Sequence, residues 1–283
     1  MRVAIIGCGY VGSAVARRWY QNGDYVSVTT TNPSKKEQLQ EIASEVVVLT
    51  GSDFTGLKQL LADKEVVLLS VGAKQRTPET YRQAYLETAT NVVKAIRKVG
   101  SVRQLIYTGS YGLLGDRQGN IVDETATPNP GSEYDEILAK TEQVLLSVPE
   151  TEFKTCILRL SGIYGLEREL IKIFSRISGT TRSGKGEDYT NWVHLDDIVG
   201  AIAFAREKQL RGIYNLASEE VLTTKEFFDR LFEAHNMPSV TWDTSQASTR
   251  SYSMKLSSQK IKDAGYQFIH PQIIFNGSQT ASS

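Results

Sequence analysis

The stretch Arg2-Val3-Ala4-Ile5-Ile6-Gly7-Cys8-Gly9-Tyr10-Val11-Gly12-Ser13-Ala14-Val15-Ala16-Arg17-Arg18-Trp19-Tyr20 decides the fold. Val3 to Ile6 is a short, continuous apolar run, as a strand covered on both faces requires. Ser13 to Tyr20 continues as a helix. Between them the glycines are spaced Gly-x-Gly-x-x-Gly. In a strand-to-helix turn, Gly7 permits the tight bend, Gly9 lets the backbone approach a pyrophosphate, and Gly12 lets the helix pack on the strand. The helix N-terminus then offers free N–H groups and a positive dipole end to the phosphates, and Tyr10 and Val11 of the loop are candidate cofactor-binding residues. The spacing alone is a weak signal; its place between a strand and a helix makes it a dinucleotide loop.

Working outward, apolar runs with β character alternate with segments of helical period, the pattern of a parallel sheet with helices on both faces. The strands read as Val3 to Ile6, Tyr25 to Thr29, Val46 to Leu49, Val66 to Val71, Gln104 to Thr108 and Lys154 to Leu160. Helices read as Glu79 to Val99 and Glu133 to Ser147, the first with Tyr81, Tyr85, Ala89, Val92, Val93 and Ile96 as a sheet-facing stripe. After Leu160 the alternation loosens. Gly165 to Asn191 reads as a mobile loop region around one short helix; a helix from about Leu195 to Arg206, a strand near Ile213 to Leu216 and a helix from Thr223 to His235 follow. The fold class is therefore α/β, a doubly wound Rossmann-type parallel sheet with a smaller C-terminal substrate lobe. The expected core spans residues 1–164 and is completed by about 193–217. Residues 165–192 and 218–275 form the lobe, and the small polar residues 276–283 are a disordered tail.

Lysine plus arginine balance aspartate plus glutamate at 32 each. No net field favours nucleic acid or an anionic membrane, and a small-molecule partner is the default. Cys8 and Cys156 lie in apolar contexts without disulfide or metal spacing, which fits a reducing cytoplasm. The sequence enters a strand at Arg2 with no charged and apolar leader pattern before it, and no apolar run has the length of a membrane span, so neither secretion nor membrane insertion is expected. Oligomeric state is not written in these features.

The end of the second strand bears on the choice of dinucleotide. Selection of NAD uses an acid there for the ribose 2′-hydroxyl, yet Tyr25 to Lys36 contains none. Thr30, Asn32 and Lys35, with Thr31, Ser34 and Lys36, instead offer hydroxyls, an amide and cations suited to a 2′-phosphate, so NADP is expected over NAD. The competing reading has Lys35 and Lys36 opening a solvated helix with Glu37.

The chain resembles the extended and atypical branches of the short-chain dehydrogenase/reductase superfamily, in particular the NAD-dependent epimerase/dehydratase family. The resemblance rests on the glycine loop, Asp53-Phe54, Val71-Gly72-Ala73, Ile106-Tyr107-Thr108-Gly109-Ser110, Gly115-Asp116, Asp123-Glu124, Arg159 to Gly165 and Asn191 to Asp197. It implies that Asp53 and Phe54 lie near the adenine, that Val71 and Gly72 line the cofactor, and that Ser110 hydrogen-bonds the substrate oxygen. It also implies a Tyr-x-x-x-Lys pair in which the lysine holds the nicotinamide ribose, a role that falls to Lys140. The motif departs here: Glu136 stands four residues before Lys140, and Tyr134 stands six before it. At about 100° per residue, an i, i+6 pair points roughly 120° apart. Lys140 accordingly has two readings, ribose contact or an i, i+4 ion pair with Glu136. Ser110 likewise has two, substrate contact or satisfaction of backbone groups at a strand end.

Two functions stand. One is an NADP-preferring oxidoreductase or epimerase/dehydratase-like enzyme acting on a carbonyl or carbinol compound such as a nucleotide-sugar, with Ser110 and Lys140 in the catalytic site. The other is a non-catalytic NADP(H)-binding sensor. Arg168, Lys172, Arg176, Arg182 and Lys185 in the lobe are candidates for facing an anionic substrate or for a solvated surface. His194, His235 and His270 show no ligand spacing, so no metal is expected; His194 reads as a packing or capping residue. Asp196 and Asp197 read as first-turn acids favoured by the helix dipole.

Overall fold

A computed structural model describes residues 1–250 and 252–276. Residues 277–283 of the expected tail lie outside the described residues. Seven strands, β1 (Arg2–Ile6), β2 (Tyr25–Thr30), β3 (Glu45–Val48), β4 (Val66–Leu69), β5 (Gln104–Ser110), β6 (Lys154–Leu160) and β7 (Gly212–Leu216), form one sheet in the order 7-6-5-4-1-2-3. The parallel registers Arg2↔Tyr25, Val3↔Val66, Ser27↔Glu45 and Val66↔Gln104 fix five of them. All four residues of β4 are buried, odd and even positions alike, so both faces of the sheet are covered. The order reverses between β1 and β4, and the loops that leave their carboxyl ends are thereby adjacent.

The helices named below are α1 (Tyr10–Gln21), α2 (Phe54–Leu61), α3 (Thr88–Val99), α4 (Glu133–Leu146), α5 (Leu195–Glu207) and α6 (Thr224–Ala234). Two compact units divide the chain. The first comprises Met1–Leu113, Pro130–Arg159 and Val199–Tyr214; the second comprises Leu114–Asn129, Leu160–Ile198 and Asn215–Ser283. In the first, Ala4, Val67, Leu69 and Leu105 of the sheet pack with Leu57 and Leu61 of α2 and Val92 and Ile96 of α3. Each such fully buried aliphatic side chain contributes about 1.5–3 kcal/mol. Gln104 anchors β5 to the end of α5, its Nε2 donating to the carbonyls of Ala205 and Leu210.

The helix expected over Glu79 to Val99 is interrupted. Pro78–Tyr81 is one helical turn, Arg82–Glu87 winds as a π-helix, and α3 follows. Thr88 Oγ1 donates to the Gln83 carbonyl five residues back at 2.9 Å, bridging the widened turn. The extra residue per turn shifts the phase of the stripe. Ala89, Val92, Val93 and Ile96 are core, as read, but Tyr81 and Tyr85 are only half-buried and pack ring to ring at 5.2 Å.

The second unit is built from short pairings: Gly162–Tyr164 with Trp192–His194, Thr181–Ser183 with Thr241–Asp243, Tyr189–Thr190 with Leu222–Thr223, and Ile121–Val122 with Lys255–Leu256. The region read as a loop thus contains strands, which pair with segments far along the chain and carry too few residues for a periodic signal. Its core is aromatic: Phe227, Phe228, Leu231 and Phe232 of α6 with Tyr164 and Leu170. Among the described residues no helix is long and apolar enough to cross a membrane.

Candidate functional site

Three segments of the first unit meet around the glycine loop. The N–H of Gly7 donates to Thr29 Oγ1 and that of Cys8 to the Thr29 carbonyl, both at 3.0 Å, which pins the loop to the end of β2. On the other side, a Cβ at Gly7 would lie 2.5 Å from the Ser70 carbonyl oxygen, just beyond β4. Gly7 also has φ +92°, a region closed to side chains with a Cβ except at a cost of about 1–2 kcal/mol. At Gly12 a Cβ would lie 2.3 Å from the Gly7 carbonyl oxygen, so α1 approaches the loop as closely as backbone allows.

Gly9 differs. A Cβ there would meet nothing within 4 Å, and Gly9 is exposed. The packing of the protein itself demands Gly7 and Gly12 but makes no demand on Gly9. The open space stands at the start of α1, whose first turn holds no acid and whose Gly9 cap gives no side-chain hydrogen bond to the N–H groups. Tyr10 and Val11 form that turn, Val11 buried and Tyr10 half-buried. A pyrophosphate fits this cradle by shape and by polarity.

Beyond β2, Thr30 is buried and its Oγ1 accepts the N–H of Asn32 at 3.1 Å, while Asn32 caps the turn Pro33–Lys35 by accepting from the N–H of Ser34. Lys35 and Lys36 are exposed, and Lys36 opens a short helix, Lys36–Gln40, with Glu37 in its first turn. Asp53 caps α2 through the Gly56 N–H at 2.9 Å, and Phe54 and Val71 lean on the core. Gly72 is exposed with open space where its Cβ would be. Burial raises the Tyr85 hydroxyl above its ordinary range, helped by Tyr81 and opposed by the backbone of Ala73.

Ser110 is half-buried at the end of β5, its Oγ accepting the Gly112 N–H at 3.2 Å. Helix α4 turns Ile137, Leu138, Thr141, Glu142 and Leu145 inward and Glu136 and Lys140 outward. Lys140 Nζ lies 3.7 Å from Glu136 Oε2, with both side chains more than half exposed. Tyr134 Oη donates to the Arg76 carbonyl at 2.9 Å, and its ring meets Tyr81 edge-on at 4.8 Å. Its proton is thus committed away from Ser110. The residue four positions after Tyr134 is the buried Leu138.

The orientation of α4 comes from a pair that the pattern of the sequence did not single out. Arg159 on β6 donates to both carboxylate oxygens of Glu142, Nε at 3.0 and 3.2 Å and Nη2 at 2.7 Å, with both side chains buried. A mid-helix Glu next to Lys140 reads as surface, and only the partner on β6 reveals otherwise.

Three further residues meet in the second unit. His270 Nε2 lies 3.2 Å from Asp196 Oδ2, and His194 Nδ1 lies 3.4 Å from the same oxygen. His194 does cap, accepting the N–H of Asp196 at 3.2 Å. Asp197 accepts the backbone N–H groups of Ile269 and His270, so it clamps the C-terminal segment as well as opening α5. Of the lobe cations, Lys172 pairs with Glu169 and Arg168 donates to the Ile163 carbonyl.

Residues 3–217 match the NAD-dependent epimerase/dehydratase family, well over half of the chain. The chain belongs to that family. Protein YeeZ of Escherichia coli strain K12 is 30% identical over 228 residues, covering 77% of each chain. The epimerase family protein Mb2239 of Mycobacterium bovis is 26% identical over 189 residues, 63% of this chain and 62% of its own. Among solved structures, the dTDP-glucose 4,6-dehydratase DesIV of Streptomyces venezuelae, with NAD and TYD bound, superposes with a TM-score of 0.80 at 19% identity, covering 97% of this chain and 93% of that one. The UDP-glucose 4-epimerase of Thermotoga maritima, with UDP-glucose, gives 0.76 at 22% identity over 93% and 92%. These likenesses bear out the Rossmann-type sheet and the family read from the sequence.

Proposed function

We propose that this family member is an oxidoreductase or epimerase/dehydratase-like enzyme that binds NADP(H) in preference to NAD(H) and acts on a carbinol or carbonyl compound, a nucleotide-sugar being the first class to test. The observation that carries the reading is Gly9, a glycine that nothing in the protein requires, at an uncapped helix start between two packing-enforced glycines. Gly7, Gly9 and Gly12, with the N–H groups of Tyr10 and Val11, hold the pyrophosphate. Asp53, Phe54, Val71 and Gly72 border the adenine and the rest of the cofactor. The NADP preference is supported by Thr30, Asn32 and the exposed Lys35 at the end of a strand with no acid near it. Solved neighbours of the same fold carry NAD, so the NADP reading rests on these residues of the present chain alone.

The bound nicotinamide supplies hydride chemistry at its C4. For the protein's part, Ser110 Oγ offers a hydrogen bond to the substrate oxygen, and Lys140 holds the ribose once it leaves Glu136. A cytoplasmic setting follows from the same reading. The competing function, an NADP(H)-binding sensor, is favoured by three observations: Tyr134 gives its proton to the Arg76 carbonyl, Leu138 stands four residues later, and Lys140 is engaged outward. Titration with the four nicotinamide dinucleotides, followed by a screen of carbonyl compounds and nucleotide-sugars at the nicotinamide absorbance band, separates the two. Turnover establishes the enzyme; tight binding without turnover establishes the sensor. Lys140→Met adds a check. Weaker binding at unchanged Tm assigns Lys140 to the ribose, and intact binding with lower stability assigns it to Glu136 alone.

A further inference from the structure

The cluster in the second unit has the composition and the spacing of a metal site. His194 ends the strand Trp192–His194, Asp196 lies in the first turn of α5, and His270 arrives on the segment that follows the helix Gln259–Asp263. The framework is fixed independently of these three side chains. Asp197 Oδ1 accepts the Ile269 N–H at 2.6 Å and Oδ2 the His270 N–H at 3.1 Å, and Tyr266 Oη donates to the Asp197 carbonyl at 2.8 Å. The backbone bearing His270 is thereby tied to the helical turn that bears Asp196.

Zinc binds imidazole nitrogen and carboxylate oxygen at about 2.0–2.2 Å, so the edges of its tetrahedron are about 3.3–3.5 Å long. Two edges are nearly in place, 3.2 Å from Asp196 Oδ2 to His270 Nε2 and 3.4 Å to His194 Nδ1, and all three ligand atoms lie within 4.8 Å of one another. The third edge, imidazole to imidazole, lies within the same 4.8 Å. The two histidine side chains are 13% and 14% exposed and the carboxylate 59%, which leaves one open approach. Among the described ion pairs Asp196 has no lysine or arginine partner, so no cation already fills its place. The edge of the Tyr164 ring steadies His194, with centroids 5.0 Å apart.

We propose that His194, Asp196 and His270 form a site for a divalent transition metal, with zinc as the probe and a fourth position open to water. Two imidazoles and one carboxylate select zinc, cobalt or nickel over magnesium and calcium, which take all-oxygen sites. Binding exchanges the Asp196 N–H on His194 Nδ1 for the metal and uses the lone pair of His270 Nε2, with the ring proton on Nδ1. The metal then staples the C-terminal segment to the start of α5.

The test is calorimetric titration of the chelator-treated full chain with Zn²⁺, alongside Co²⁺ titration followed by its visible d–d bands. One saturable zinc per chain is expected. His270→Gln and Asp196→Asn should each weaken it at least about tenfold, with loss of tetrahedral cobalt bands and of any zinc-dependent rise in Tm, while far-UV circular dichroism confirms that both variants are folded. His235→Ala, which removes the third histidine and no member of the cluster, should leave binding unchanged. Absence of saturable zinc binding in the wild type overturns the proposal. So does zinc affinity preserved in both folded variants, or lost in His235→Ala.

Discussion

At the scale of single residues, the glycine loop separates what folding needs from what a ligand needs. Gly12→Ala places a methyl group 2.3 Å from the Gly7 carbonyl oxygen, whereas the same change at Gly9 enters open space. Gly12→Ala should therefore lower stability by about 1–3 kcal/mol, as overpacking does, and Gly9→Ala by less than about 1 kcal/mol; thermal melts of the two variants check this. Equal losses would mean that Gly9 is held by packing after all. Cys8, inside the same loop, is a second probe. Burial raises its thiol above the ordinary value of 9.0, outweighing the hydrogen bond from Ser13 and the nearby Lys35. Alkylation of Cys8 at pH 7.5 should be slow in the folded protein, quicken as pH rises past 9, and become rapid in denaturant, as peptide mapping would show. The three glycines were legible in the sequence because their spacing between a strand and a helix suits a phosphate cradle and little else. Thr29 and Ser70 were not, since their roles exist only once β2 and β4 flank β1.

At the scale of elements, α4 shows where periodicity stops. Its existence was readable as a helix over Glu133 to Ser147, and the structure begins the helix at Glu133. Its rotation was not readable, because that is set by the buried pair of Glu142 with Arg159 on a distant strand. Removing one member leaves a buried charge. Glu142→Ala should cost about 3–5 kcal/mol, and at about 2–4 °C per kcal/mol for a domain of 150–250 residues the melting temperature should drop by roughly 10 °C. A fall of only a degree or two would show the pair to be solvated. The same rotation bears on catalysis. With its hydroxyl donating to the Arg76 carbonyl, Tyr134 has its proton committed there, and Tyr134→Phe should leave any redox activity within about threefold, far from the 10²- to 10⁴-fold loss of a removed acid. A loss of that larger size in steady-state assays would place Tyr134 at the reacting oxygen.

At the scale of the whole molecule, the α/β alternation carried the sheet because each parallel strand is a short apolar run between helices, a signal local in sequence. The second unit hid its strands because each is two or three residues long and pairs across long separations. His194 and His270 escaped for the same reason: ligand spacing is sought along the chain, and these two meet only through the fold. Family membership follows from the matched residues 3–217, and the substrate is a matter for the screen described above. The proposed chemistry depends throughout on the glycine loop being a dinucleotide site with NADP preference. Fluorescence titration of wild type and Gly9→Val with NADPH and with NADH probes both halves of that claim. We predict tighter NADPH than NADH binding to the wild type, and loss of both in a Gly9→Val variant that melts close to the wild type. Equal or tighter NADH binding would contradict the preference, and unchanged NADPH affinity in folded Gly9→Val would contradict the site itself.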